Sequence, residues 1–233
     1  LSSLFSIFYY GMLNHAYRFR HDRCIVEKRS GVGVMDKFGL EIIPYIYDNI
    51  APNSYWSPAY YRATYNNQEG VLALNGTEII PCIYDDIDTW LTTDNFMVKS
   101  GKLKGLYTPR GKVIVPCEYT KISRWRETSL IHVKIDDQEG LYSPEGQEIL
   151  PCQFIICKEL NGISLINRGG FSKNGKVQNG IWGAINKEGK IIVPCKYNDI
   201  TPYAGSERIE ADGGYIKDIY DFNGNYLRSE YKW

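Results

Sequence analysis

The chain has 233 residues, of which 43% are hydrophobic and 23% are charged, as in ordinary folded globular proteins. Lysine plus arginine and aspartate plus glutamate each number 27, and a formal net charge of zero argues against a nucleic-acid-binding protein. No stretch reaches the ~20 apolar residues that a membrane-spanning helix needs. The 19 tyrosines and 22 glycines favour strands joined by turns.

The first 22 residues do not fit the pattern that fills the rest of the chain. Residues 1–13 (LSSLFSIFYYGML) are apolar and uncharged. The run is too short to span a membrane, and it lacks the preceding basic segment of a signal peptide. Two interpretations stay open. The segment over 1–22 is either the closing strand of a last repeat or the end of an upstream domain.

From residue 23 onward the chain repeats a pattern of spacings. Relative to the first five turn glycines, another glycine lies six residues earlier, a proline five later and an aromatic residue eight later. An isoleucine, or Cys157 in one unit, follows three residues after the aromatic position. We therefore predict a repeat domain over 23–233, with five full units and a partial sixth. The turn glycines are Gly39, Gly76, Gly111, Gly146, Gly189 and Gly224.

Each unit predicts antiparallel strands joined by tight turns. In TPRGK (108–112) and SPEGQ (143–147), proline presets the first turn position and glycine takes the left-handed position that closes the hairpin. A β-rich run and a polar turn precede each unit glycine, which adds a third strand. The segment from proline to isoleucine forms a short fourth strand or a bend. We expect no helix within 23–227, because no capped 3.6-residue period occurs there.

A sheet of this size cannot bury both of its faces alone, so neighbouring units must stack. Closure into a ring removes exposed strand edges. We therefore predict an all-β fold of tandem antiparallel repeats of about 35 residues, arranged as a propeller-like closed ring. An open β-solenoid is the alternative.

The stretch IWGAINKEGKIIVP at 181–194 resembles the WG-repeat family. Its unit combines Trp-Gly, a turn that ends in glycine, an aliphatic run, proline and Tyr-Asp-x-Ile. Here Trp-Gly occurs only at Trp182-Gly183, and the resemblance over about 23–227 depends on spacing. The other residues at the tryptophan position are Val32, Glu69, Lys104, Glu139 and Lys217. The resemblance implies a bacterial β-rich repeat module, often joined to other domains, with no defined catalytic residues.

Four of the six cysteines follow the repeat proline: Cys82, Cys117, Cys152 and Cys195. A shared register favours one equivalent small niche for a free thiol in each unit. Disulfides and a metal or redox site are alternatives, but no Cys-x-x-Cys pair supports a metal site. Reduced thiols favour the cytoplasm, although the sequence does not identify the compartment.

No catalytic, cofactor-binding or metal-binding residue is predicted. The three histidines, His15, His21 and His132, have no sequence reason to pair with a nucleophile. The acidic pairs Asp85-Asp86 and Asp136-Asp137 fit turn chemistry better than acid–base catalysis or calcium binding. We therefore predict that the chain is not an enzyme and has no cofactor. An enzyme whose site is assembled from loops is the third alternative.

Two places where the repeats differ are candidate contact elements. The loop 51–61 carries Tyr55, Trp56, Tyr60 and Tyr61, which form either an exposed aromatic patch or part of the packed body. The turn glycines Gly146 and Gly189 are 43 residues apart, which is the longest of the intervals between turn glycines. The extra residues fall at 165–180, and insertions into repeats commonly form binding loops. Its candidate partner-binding residues are Arg168, Phe171, Lys173 and Lys176.

Together these features predict a non-catalytic binding or scaffold module for a protein partner, within a larger bacterial protein or complex. A carbohydrate or small-ligand module that uses Trp56 is the alternative. No nucleic-acid partner and no membrane span are expected.

Overall fold

A computed structural model describes residues 15–16, 22–54, 59–90 and 94–232. These residues form antiparallel strands, with one 3-10 turn at Ala204–Ser206 and no α-helix among them. Within the same ranges, no helix has the length and apolar character needed to cross a membrane. Residues 1–14 and 17–21 lie outside the described residues, so both interpretations of the N-terminal segment stay predictions.

The first three sheets each hold four antiparallel strands that are consecutive in sequence and adjacent in space. The first contains β1 (His15–Ala16), β2 (Arg23–Lys28), β3 (Gly31–Asp36) and β4 (Glu41–Tyr47). The second contains β5 (Asn49–Pro52), β6 (Tyr60–Tyr65), β7 (Gln68–Ala73) and β8 (Glu78–Tyr84). The third contains β9 (Asp86–Thr89), β10 (Phe96–Ser100), β11 (Leu103–Tyr107) and β12 (Val113–Tyr119).

Two repeat units then share one seven-stranded sheet. The strands that follow are β13 (Lys121–Arg124), β14 (Ile131–Ile135), β15 (Gln138–Tyr142), β16 (Glu148–Leu160), β17 (Ile163–Arg168), β18 (Phe171–Lys173), β19 (Lys176–Gln178), β20 (Ile181–Ile185) and β21 (Ile191–Tyr197). The sheet order is β13-β14-β15-β16-β17-β20-β21, while β18 and β19 form a separate pair. The last sheet contains β22 (Asp199–Tyr203), β23 (Arg208–Asp212), β24 (Ile216–Asp221) and β25 (Tyr226–Tyr231).

The prediction of an all-β fold of tandem antiparallel repeats is confirmed. Four-stranded sheets in sequence order are the building unit of β-propellers. The closed ring and the open solenoid stay predictions. The chain divides into two compact lobes, one of residues 1–101 and 106–113, the other of residues 102–105 and 114–233.

The unit hairpins form at the predicted turns. Gly111 has a φ of 82°, its amide donates to the Thr108 carbonyl, and the Thr108 amide donates to the Lys112 carbonyl. The turns that end in Gly76 and Gly146 show the same two hydrogen bonds. Glycine is favoured here because a left-handed backbone costs it nothing.

The repeat proline lies inside the fourth strand, where the ladder bulges. In the second sheet Glu69 pairs with Tyr84 and Val71 pairs with Ile80, so Gly70 alone faces the three residues 81–83. The first sheet, the β15–β16 pair and the β20–β21 pair have the same irregularity. Proline is tolerated because the bulge takes this position out of the ladder, which therefore does not need the missing amide proton. The sequence predicted a separate short strand or a bend from the proline to the isoleucine, whereas the strand that contains the proline continues to the tyrosine.

The motif Tyr-Asp-x-Ile separates one sheet from the next. The Asp85 carboxylate accepts a hydrogen bond of 2.6 Å from the Gly101 amide, and the Asp48 carboxylate accepts one of 3.2 Å from the Asn67 amide. Each aspartate therefore caps the turn of the following hairpin. In the fourth unit Ile155 replaces this aspartate, and β16 runs on without a break.

Buried tyrosine pairs join the fourth strand of one unit to the third strand of the next. The hydroxyl oxygens lie 2.7 Å apart in Tyr84–Tyr107, 2.9 Å in Tyr119–Tyr142 and 2.6 Å in Tyr197–Tyr220. The rings pack edge to face, with centroids about 6 Å apart. Burial, with the hydrogen bond to its partner tyrosine, raises the pKa of Tyr119 and of Tyr197, so both phenols stay protonated.

Candidate functional site

The insertion at 165–180 forms a small hairpin on the second lobe. Strands β17 and β20 pair as far as Arg168 opposite Ile181, and β18 and β19 then form their own ladder between 171 and 178. Asn174 and Gly175 have φ values of 53° and 73°, as in a type I′ turn. We call residues 169–180 the insertion hairpin.

Asn167 anchors the insertion hairpin to the body of the second lobe. Its side chain is fully buried, and its Nδ2 donates to the Asn179 carbonyl at 3.0 Å. Its Oδ1 accepts from the Gly170 amide at 3.0 Å, so one carboxamide ties together both ends of the hairpin. A Cβ atom on Gly170 or Gly180 would come within 2.3 Å of that Oδ1. Both glycines are therefore required by the close approach of the backbone to Asn167.

The insertion hairpin presents positive charge and an aromatic ring to solvent. Lys173 and Lys176 lie directly opposite each other and are exposed, and Phe171 is 49% exposed. Like charges at facing positions destabilise a hairpin. The segment 165–180 has no aspartate or glutamate to compensate for Arg168 and the lysines. The arrangement can attract an anionic partner and can also bury an aromatic side chain.

The predicted aromatic loop does not form one exposed patch in the described residues. Tyr61 is only 4% exposed and packs in the core of the second sheet with Ile50 and Leu72. The ring of Tyr60 packs edge to face against Phe96, with the centroids 5.0 Å apart. Tyr55 and Trp56 lie outside the described residues, so their role stays a prediction.

The repeat cysteines Cys82 and Cys195 are thiols that lie beside the unit glycines. A Cβ on Gly70 would lie 2.6 Å from the Cys82 sulfur, and one on Gly183 would lie 2.6 Å from the Cys195 sulfur. Burial raises the pKa of Cys82 to about 11, with a contribution from nearby carboxylates, and burial likewise raises that of Cys195 to about 11. Because nucleophiles and metal ligands are thiolates, the raised pKa lowers the reactive fraction of Cys82 and Cys195 at neutral pH.

A polar side-chain pair recurs across the second and third strands of three units. The distances are 2.6 Å for Arg62–Glu69, 2.6 Å for His132–Glu139 and 2.7 Å for Glu210–Lys217. The members are seven residues apart in each case, at diagonal positions of a hairpin. Glu69 also accepts a hydrogen bond of 2.9 Å from the Ile87 amide of β9. The pair therefore fixes the first strand of the next sheet in the first lobe.

Ser123, His132 and Glu139 form a chain of contacts like that of a hydrolase triad. The Ser123 oxygen lies 3.3 Å from His132 Nδ1, and His132 Nε2 lies 2.6 Å from a Glu139 oxygen. The Arg62–Glu69 and Glu210–Lys217 pairs occupy the same diagonal positions, so this geometry recurs with different side chains. His132 is therefore best explained as one member of the recurring structural pair. Among the described residues, no three His, Cys, Asp or Glu side chains are grouped closely enough to hold a metal ion.

A sequence model described as the WG containing repeat matches residues 74–99, 105–138 and 182–207. The resemblance to the WG-repeat family is confirmed. The three matched stretches include the turn glycines Gly76, Gly111 and Gly189 and the prolines that follow them. No curated protein matches the sequence at a significant level.

Three solved structures are similar to this chain at low sequence identity. The AfRom2 CNH domain is 12% identical, with a TM-score of 0.28 over 94% of this chain and 84% of that one. Kluyveromyces lactis Hsv2p is 10% identical, with a TM-score of 0.26 over 93% of this chain and 63% of its own length. BamB from Moraxella catarrhalis is 11% identical, with a TM-score of 0.25 over 91% and 73%. The chain thus spans less than two thirds of Hsv2p.

One member of each of these side-chain pairs occupies the tryptophan position for which the WG repeat is named. Glu69, Glu139 and Lys217 stand where Trp182 stands in the fifth unit, and each bonds to a residue seven positions earlier. These substitutions are visible in the sequence, whereas the residues to which they bond are set by the hairpin register. The sequence does contain a signal for these pairs. A titratable or oppositely charged residue lies seven positions before the tryptophan position, as in Arg62, His132 and Glu210.

Proposed function

We propose that this chain is a non-catalytic binding or scaffold module, and that the insertion hairpin contacts a protein partner. The observation that carries the proposal is the combination of a buried anchor, Asn167, with an exposed tip whose two lysines face each other. A hairpin with three-residue strands is at best marginally stable alone. Its exact orientation on the body is therefore maintained by the anchor rather than by its own ladder.

The repeated body supports the same proposal. Loops that differ between repeats on a rigid scaffold are common positions for binding residues. The side chains with nucleophilic potential, such as Cys82 and Cys195, are held protonated, and their environment favours a packing role. An interface that includes Phe171 would bury an aromatic side chain, which is the kind of residue that dominates binding energy.

Site-specific photocrosslinking tests this proposal. A photoreactive amino acid replaces Phe171 in one variant and the exposed Phe38, which is 75% exposed in a repeat turn, in a second. In cells that express the chain, we expect a discrete protein adduct from position 171 and none of the same mass from position 38.

Matched charge variants complete the experiment. Lys173→Glu with Lys176→Glu should abolish the adduct, because it reverses the tip charge. Lys187→Glu with Lys190→Glu makes the same net charge change on an exposed repeat turn and should retain the adduct. Equal adducts from positions 171 and 38, or an adduct that survives the tip reversal, would contradict the proposal.

A further inference from the structure

The last strand differs from every other fourth strand of the repeat. Among the described residues, strand β25 is the outer strand of its sheet, and all six of its residues are exposed. At the position of the repeat proline it has Ser229, and at the cysteine position it has Glu230. Arg228 replaces the aliphatic residue that is buried in the other units, such as Ile43 or Val193. This edge therefore lacks the proline that blocks pairing elsewhere.

The backbone of β25 has hydrogen-bonding groups directed away from its own sheet. The Lys232 amide donates to the Tyr215 carbonyl at 3.1 Å. The backbone amide and carbonyl of residue 232 therefore point toward the β24 side of the strand. Bonded and non-bonded pairs alternate along an antiparallel ladder. The amides and carbonyls of Ser229 and Tyr231 therefore point toward the open edge.

The side chains of β25 complement those of an antiparallel second copy. If two strands pair with Ser229 opposite Ser229, then Arg228 of each strand lies opposite Glu230 of the other, within the part of β25 that pairs regularly with β24. Arg228 and Glu230 project from the same face, since their side chains contact each other at 2.7 Å within the strand. Pairing centred on Arg228 or on Glu230 would place like charges opposite each other, which is unfavourable. The charges thus select one register.

We propose that β25 is a self-association edge that binds β25 of a second copy of this chain about a two-fold axis. The same surface serves both subunits, as in isologous dimers. Tyr231, which is 71% exposed, lies two residues from this axis on the same strand. Because a single short strand buries far less than the ~1,600 Å² of a standard interface, the dimer is weak and depends on concentration. This inference does not depend on the function of the insertion hairpin.

Sedimentation velocity over micromolar to millimolar concentrations tests the association. The wild-type chain should convert progressively from monomer to dimer. Arg228→Glu and Glu230→Arg should each shift the dissociation constant upward by at least tenfold, because each places like charges across the axis. Ser229→Pro should have the same effect, because it removes an outward amide and restores the proline of the other repeats.

Mixing the variants provides the control for folding. The Arg228→Glu and Glu230→Arg chains are complementary to each other, so an equimolar mixture should form heterodimers that neither chain forms alone. Lys187→Glu, on a turn away from β25, should leave the wild-type dissociation constant unchanged. A wild-type chain that stays monomeric at millimolar concentration would overturn the proposal. A dimer that persists in both single variants, or a mixture that stays monomeric, would also overturn it.

Discussion

In each full unit, the glycine of one strand closely approaches the proline-containing bulge of the facing strand. This contact explains why glycine and proline recur at fixed positions in the sequence. At position 183 a side chain would meet the Val193 carbonyl at 2.7 Å and the Cys195 sulfur at 2.6 Å. The glycine is therefore required by close approach of the facing strand, because its own backbone is that of an ordinary strand residue. The neighbouring thiol fills the remaining space as a small apolar group.

Replacing Gly183 with alanine should lower the free energy of unfolding by about 1–3 kcal/mol, as expected for overpacking a close backbone contact. The matched control is Gly205→Ala, since a Cβ on Gly205 would have no heavy atom within 4 Å. Urea unfolding monitored by circular dichroism would measure both changes. Equal stability of the two variants would show that the strands can separate at the bulge without cost.

At the scale of a single element, the buried side chain of Asn167 sets the position of the exposed insertion hairpin. Asn167 bonds to both ends of the hairpin, and the strands themselves are too short to maintain that position. The sequence predicted a contact element at 165–180 from the length of the interval. It could not predict the anchor, because an asparagine two residues before a glycine pair resembles any other polar turn.

Asn167→Ala should release the hairpin while leaving the sheet folded. Amides of residues 170–179 should exchange with deuterium at least tenfold faster, because the buried hydrogen bonds that hold both ends are lost. Gln178→Ala, an exposed substitution in the same hairpin, serves as the control. Unchanged exchange in the Asn167 variant would mean that the ladder between 171 and 178 holds the hairpin by itself.

The cross-strand pair Glu210–Lys217 predicts how the last sheet responds to acid. The hydrogen bond and charge of Lys217, with a further contribution from Arg208, hold the pKa of Glu210 below its usual value. A carboxyl group whose pKa is lower in the folded chain binds protons more readily when unfolded. Its stabilisation is therefore present above the unfolded pKa of ~4.3 and is lost as the pH falls through the folded value.

Glu210→Gln should lower the free energy of unfolding at pH 7 by about 0.2–1 kcal/mol and should reduce the loss between pH 7 and pH 3. Glu188→Gln is the comparison, because the Lys187–Glu188 pair is largely exposed and should contribute little. Urea midpoints across this pH range would measure the difference. A Glu210 variant with the same pH dependence as the wild type would contradict the assignment.

The strands and turns were predictable because each unit repeats the same local chemistry. Turn glycines such as Gly111 and Asn-Gly pairs such as 75–76 specify hairpins within a few residues. The features that could not be predicted depend on residues in other strands. Whether Pro81 ends a strand or bulges depends on Gly70 across the ladder, and the pairing of Arg62 with Glu69 depends on the hairpin register.

At the scale of the whole molecule, stability should be distributed among neighbouring sheets. The core around Ile209 contains residues of β20 and β21, such as Ala184 and Val193, together with residues of its own sheet. A separate core around Trp125 includes Leu141 and Leu150. In repeat arrays of this kind, stability is approximately a sum of local and nearest-neighbour contributions.

Ile209→Ala is the substitution that tests this distribution, because Ile209 is fully buried in the first of these two cores. Removing it should cost about 2–5 kcal/mol locally. Hydrogen exchange followed by mass spectrometry should show faster exchange in β20–β25. Exchange in β13–β15 should stay close to wild type, because none of these strands contributes to the core around Ile209 and Leu141 of β15 belongs to the other core. A uniform acceleration across all of these strands would instead mean that they unfold as one cooperative unit, because the perturbation would then not decay from one sheet to the next.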